Sequence, residues 1–152
     1  MKIFRAVAIS VLSLAAVTAA AQNFKPEDQI KHRQASMSLI ARSNGALNSM
    51  VRGDVPFNKE VAGKHADVIA NLAAWVGPSF GPGTDKGALT KADPKIWTEG
   101  DKWKAALDKL VTETGKLPAA SADLATLTTQ FAEVGKTCKF CHDNYRMRDF
   151  RY

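Results

Sequence analysis

The sequence predicts an all-α protein folded as an antiparallel four-helix bundle. Three observations predict it. Apolar residues recur at steps of three and four in four separate segments. No alternating run long enough to suggest a sheet stands between them. Two short connections and one long one join the segments, which suits helices that run up and down beside each other.

The bundle is expected to occupy residues 22–152, one ordinary domain. Ahead of it, residues 1–21 have the form of a secretory signal peptide: Lys2 and Arg5 form a basic head, Ala6 to Thr18 are apolar or small, and Ala19-Ala20-Ala21 offers a cleavage site before Gln22. That apolar run is shorter than the roughly 20 residues a spanning helix needs. Export to the periplasm is therefore expected, with no membrane contact after cleavage.

The first helix starts near Pro26-Glu27-Asp28, where proline in the first turn and two acids suit the positive end of the helix dipole. Ile30, Arg33, Met37, Ile40, Asn44, Leu47 and Val51 then share one face, and Gly53 and Pro56 end the segment. The second begins at Asn58, a suitable cap, and is read as a stripe of Val61, His65, Val68, Leu72 and Trp75, stopping at Gly77-Pro78. Residues 77–92 carry four glycines and two prolines and form the long connection, of a length that is usually functional or disordered.

Asp93-Pro94 opens the third helix, continued by Ile96, Trp103, Leu107 and Leu110 and closed by Gly115 and Pro118. The fourth opens at Ser121 or Asp123. Leu124, Leu127, Phe131, Val134, Cys138, Cys141 and Tyr145 then recur at steps of three and four, the strongest pattern in the chain. Two stripes depart from plain core: the last carries both cysteines, and the first carries an arginine, which needs a partner if buried.

Formal net charge is +6, and signal cleavage removes two positive charges and no acids. The basic residues are interspersed with acids, so nucleic acid is not expected as a partner. Lys136, Lys139, Arg146, Arg148 and Arg151 surround the cysteines; they read either as solvated surface or as a patch that steers an acidic redox partner protein.

Cys138-Lys139-Phe140-Cys141-His142 is the attachment signature of a c-type haem. Residues three apart on a helix lie about one turn from each other on nearly the same side, so two thiols reach two vinyl groups and form thioethers. The histidine that follows can ligate the iron from the same side, making His142 the axial ligand. A thiol redox pair normally opens a helix after a strand, whereas this one sits near the end of a long helix. A disulfide is poorly placed at this spacing on a regular helix, and zinc would need four ligands where only His32 and His65 remain. Neither of those histidines is assigned a role.

A haem would also account for Arg33, which with Gln34 beside it could pair with a propionate. The alternative is an arginine that snorkels to solvent from the edge of the stripe. Met37, one turn further on, is either a sixth iron ligand or a space-filling side chain.

These residues carry a family resemblance. The chain resembles cytochrome c′ and the class II c-type cytochromes, over nearly all of residues 22–150. The resemblance rests on Lys25-Pro26-Glu27-Asp28 followed by Arg33-Gln34, on Phe80-Gly81-Pro82-Gly83-Thr84, on Asp93-Pro94-Lys95-Ile96-Trp97, and on the run from Val134 through the haem motif to Arg146. It implies a bundle with one covalent haem c, often a homodimer, whose five-coordinate high-spin iron has histidine on one face and an apolar pocket on the other. Such proteins bind nitric oxide and carbon monoxide. By position, His142 is the proximal ligand, Arg146 lies near it, Arg33 and Gln34 meet the propionates, and Met37 lies over the distal face. Low-spin relatives use a methionine of the first helix as a true sixth ligand, which gives the alternative of a six-coordinate electron carrier. No carboxylate pair or nucleophile–base set stands out, so catalytic turnover is not expected.

Overall fold

The computed structural model describes residues 25–151. The signal segment and the start at Gln22 lie outside the described residues. Helix α1 spans Pro26–Val51, with proline in its first turn and Glu27 and Asp28 beside it. Gly53, at φ +77°, takes the left-handed conformation that turns the chain out of it. Helix α2 spans Lys59–Val76 and is capped by Asn58, whose side-chain oxygen accepts from Val61 N at 3.0 Å.

The buried face of α2 is Ala62, Ala66, Ile69, Ala73 and Val76. This corrects the expected stripe: Val61, Val68 and Trp75 are exposed, Trp75 by 77 %. The two sets differ by one residue, about 100° around the helix. The reason is steric. Helix α1 packs most extensively on α2, and the alanines let the two backbones approach where larger side chains would hold them apart.

After α2 the chain makes one 3₁₀ turn, Gly77–Phe80. A Cβ on Gly77 would stand 2.8 Å from Leu107 Cδ2, so a larger residue there would make the Leu107 side chain shift. The expected third helix is broken: α3 spans Lys95–Thr98 and α4 spans Gly100–Gly115, with Glu99 at φ −112° and ψ 49° between them. Asp93 caps the first piece, its Oδ1 accepting from Lys95 N at 2.9 Å. A short α5, Leu117–Ala120, contains Pro118. Helix α6 spans Leu124–Tyr145, and its cap is Asp123, whose side chain accepts from Thr126 N.

A second correction concerns strands. β1, Thr90–Ala92, pairs antiparallel with β2, Arg146–Arg151, with Thr90 opposite Arg151, Ala92 opposite Arg146, and a register shift between them. The strands are too short for a period-two pattern to stand out, and they lie more than fifty residues apart in the chain.

Two apolar clusters fill the interior. Leu47, Met50, Ala62, Ala66, Ile69, Leu117, Leu127 and Val134 form one. Each fully buried Leu or Ile there contributes about 1.5–3 kcal/mol relative to exposure. Ala92, Ile96, Ala106 and Tyr145 form the other, with Phe80, Trp97, Trp103 and Cys141 against it. No helix among the described residues is long and apolar enough to cross a membrane.

Candidate functional site

Between the two clusters lies a cavity of about 960 Å³, at the upper end of the range for ligand sites. Its walls are mostly apolar. Helix α1 contributes Arg33, Gln34, Met37 and Ile40; α2 contributes Ile69, Ala73 and Val76; α4 contributes Trp103, Leu107 and Leu110. Helix α6 brings Val134, Cys138, Cys141, His142 and Tyr145 to the same space. The step-of-three spacing of the two cysteines therefore places both thiols on one cavity wall, with the imidazole next to them.

Burial pushes both thiols above their ordinary pKa; Cys141 is raised further by Cys138, while a hydrogen bond with Thr137 partly offsets the rise at Cys138. Neither is a ready thiolate, which works against the thiol redox reading. The surroundings act on His142 as well. Although the residue as a whole is exposed, the atoms crowding its ring lower its pKa, and so does Arg146 to a lesser degree, with Asp143 opposing. Arg146 follows His142 by one turn and lines the cavity.

Arg33 is 3 % exposed, which rules out the snorkelling reading. Its Nη1 donates to the Ser79 carbonyl at 3.0 Å and its Nη2 to Thr90 Oγ1 at 2.8 Å. The guanidinium also lies 5.0 Å from the Phe80 ring centroid and 5.7 Å from that of Trp97. Desolvation, and then the nearby Arg151, lower its pKa to about 10, against the pull of Asp85. A buried guanidinium met by neutral acceptors and aromatic faces still has donors to offer an anion. Gln34 Nε2 donates to the Leu89 carbonyl at 2.7 Å. Arg33 and Gln34 thus tie the long connection to α1 while lining the cavity, and Met37, half-buried, follows one turn along.

The long connection is ordered by the motifs that flank it. Trp97 Nε1 donates to the Gly81 carbonyl at 3.1 Å, and Thr84 Oγ1 donates to the same oxygen at 2.8 Å. Trp103 stacks edge-on against Phe80 at 4.8 Å and Tyr145 at 5.2 Å between centroids. Sequence reasoning missed Thr90 and Phe150 as site residues. Both become neighbours of the cavity through the β1–β2 pairing, for which the sequence pattern gives no signal.

The basic residues expected as one patch around the cysteines are divided in the structure. Lys136 pairs with Glu133 and Lys139 with Asp143. Arg151 turns inward, its Nε donating to the Ala92 carbonyl at 3.1 Å. Arg146 and Arg148 remain exposed.

The family model described as Cytochrome C′ matches residues 28–146. The chain belongs to the cytochrome c′ family. It is 38 % identical over 124 residues to cytochrome c′ of Rubrivivax gelatinosus, covering 80 % of this chain and 96 % of that protein. The crystal structure of the Rubrivivax protein superposes with a TM-score of 0.78, covering 80 % of this chain and 97 % of that one. Cytochrome c-554 of Cereibacter sphaeroides is 33 % identical over 142 residues, covering 90 % of this chain and 93 % of the relative. A nitric oxide complex of a variant cytochrome c′ from Alcaligenes xylosoxidans, 35 % identical, superposes with a TM-score of 0.76 and covers 82 % of this chain and 98 % of that one. The cofactor of this cytochrome c′ is one covalent haem c, attached through Cys138 and Cys141. The residues present fit it: an apolar cavity, two thiols and an imidazole on one wall, and a buried guanidinium with donors to offer a carboxylate.

Proposed function

We propose that this cytochrome c′ is a periplasmic protein that binds nitric oxide or carbon monoxide at an open iron position and also passes single electrons. The observation that carries the reading is the composition of the cavity: His142 stands on the α6 wall with the cysteines, while the α1 and α2 walls past Arg33 and Gln34 are chiefly apolar. Apolar walls admit neutral diatomics and disfavour charged ligands. Bound haem supplies an iron that takes a gas ligand or an electron.

In this reading Cys138 and Cys141 fix the cofactor to α6, and His142 holds the iron from the same helix. Arg33 and Gln34 anchor the propionates. The contacts with Ser79 and Thr90 orient the Arg33 fork without using all of its five donors. Arg146 supplies a positive charge on the His142 side. Met37 gives the cavity an apolar, adaptable wall.

The second reading, a low-spin electron carrier, is favoured by one observation: Met37 lines the cavity and bears a thioether able to ligate iron. The absorption spectrum of the reduced, haem-loaded protein separates the two. A broad Soret band without sharp α and β peaks is expected for the open site, whereas sharp, split peaks that vanish in Met37→Ala would establish the methionine as ligand.

We further propose a homodimer that pairs through α1 and α2, a reading supported by the exposed large apolar residues Leu39, Val61, Val68 and Trp75. Sedimentation of the mature protein tests this, with a monomer at micromolar concentration counting against it.

A further inference from the structure

We propose that β2 is a strap closing the edge of the haem cavity, and that Phe150 limits the access of water-borne reagents to the haem edge. β2 leaves α6 directly after Tyr145, a few residues beyond the haem motif, and pairs back onto β1. The pairing carries Phe150 to the cavity rim, where it lines the space together with Leu89 and Lys91. Phe150 is 59 % exposed. One part of it therefore meets solvent while another faces the cavity, the position of a rim residue rather than of a core residue.

The strap is fastened at its far end. Arg151 Nε donates to the Ala92 carbonyl at 3.1 Å, and its guanidinium lies 5.9 Å from the Trp97 ring centroid. Arg151 Nη2 is buried without a hydrogen-bond partner. Lys91 Nζ sits 4.6 Å from the Phe150 centroid and holds the ring from the β1 side. β1 is held in turn from α1 by Arg33 on Thr90 and by Gln34 beside it on the Leu89 carbonyl. One continuous rim thus runs from α1 through β1 to the strap, and Phe150 is its large apolar member on β2.

An apolar shell around a metal site controls solvent access to it. The inference rests on haem occupancy of the cavity and is independent of whether the sixth iron position is open. The test is the outer-sphere oxidation of the ferrous haem protein by ferricyanide, in which one electron passes from the iron(II) haem to give iron(III) haem and ferrocyanide. The reaction is followed at the Soret band in high salt. Phe150→Ala is expected to react severalfold faster than the parent with the same starting spectrum, and Phe150→Leu to fall between them. Arg151→Gln keeps the ring but unpins the strap. Losing a positive charge slows reaction with an anionic oxidant, so faster oxidation in this variant supports opening. An unchanged rate in Phe150→Ala, or an unchanged or slower one in Arg151→Gln, overturns the proposal. The reduced spectrum, which reads the sixth position, is recorded on the same samples, so a failure of the open-site reading is seen separately.

Discussion

At one end of the bundle, Leu47, Met50, Ala62, Ala66, Leu117 and Leu127 fill the interior by themselves. At the other, Phe80, Ile96, Trp103 and Tyr145 border a cavity of about 960 Å³. Ile69 and Val134 belong to both, as members of the first cluster and as walls of the cavity. The closed end is completed by the chain's own side chains. The open end is shaped to be completed by a cofactor, and its order rests on directed contacts, such as those of Arg33 with Ser79 and Thr90, more than on close packing. Helices α1, α2 and α6 therefore serve as scaffold at one end and as receptor at the other, joined by α5 at the closed end and by α4 at the open one.

The largest expected effect comes from breaking the open end alone. Replacing both Cys138 and Cys141 by alanine removes the thioether attachment, so haem should no longer stay with the chain under denaturing conditions, as read by mass spectrometry. Amide exchange on the same variant sharpens the comparison. Amides around Thr90–Ala92 and the last turns of α6 should exchange faster, while those near Leu47 and Leu127 keep their protection. Equal loss at both ends would mean that the haem organises the whole bundle.

Next in size is the converse cut. Leu127 is fully buried in the closed end, and Leu127→Ala is expected to cost about 2–5 kcal/mol in denaturant unfolding. The Soret band should stay where it is. A shifted band would show that the two ends are coupled through Val134 and Ile69.

A smaller effect concerns acid. Glu113, buried on α4, accepts from Lys109, Lys116 and Gln130, and these hydrogen bonds hold its carboxyl down to about pKa 2 against an ordinary 4.5. A depressed carboxylate contributes stability that is present above its unfolded pKa and is lost as pH falls through the folded one. That window runs from about 4.5 down to about 2. Glu113→Gln should lower stability at neutral pH and flatten the stability–pH curve in that interval, measured by urea unfolding at a series of pH values. An unflattened curve would place the acid sensitivity elsewhere.

The sequence made these two ends legible to different degrees. At the open end, the cysteines and Arg33 are legible as unusual residues in helical stripes, Gln34 beside Arg33 and Met37 one turn on are legible through the family resemblance, and the structure brings all of them to one cavity. The closed end is less legible. On α2 the large residues Val61, Val68 and Trp75 drew the stripe to the wrong face, since alanine carries little apolar weight, although it is what a close helix contact selects. Glu113 gave no signal, as a carboxylate in a charged helix reads as surface until Gln130 of another helix is seen to reach it. The β1–β2 pair was invisible for a related reason: it joins two distant segments, and the register that makes Phe150 a rim residue exists only in three dimensions.

The smallest effect tests whether α2 stands by packing or by its own end. Asn58 caps it by accepting from Val61 N, one of the amides that the helix leaves without an intrahelical partner. Removing such a cap typically costs about 1 kcal/mol. The alanine face of α2 is good helix material but buries little apolar surface per residue. The helix should therefore feel the loss of its cap. Asn58→Ala is expected to lower unfolding free energy by about 1 kcal/mol, with the fastest amide exchange in the first turn of α2 and no change at the haem. A loss of a few tenths would mean that contact with α1 alone sets this helix.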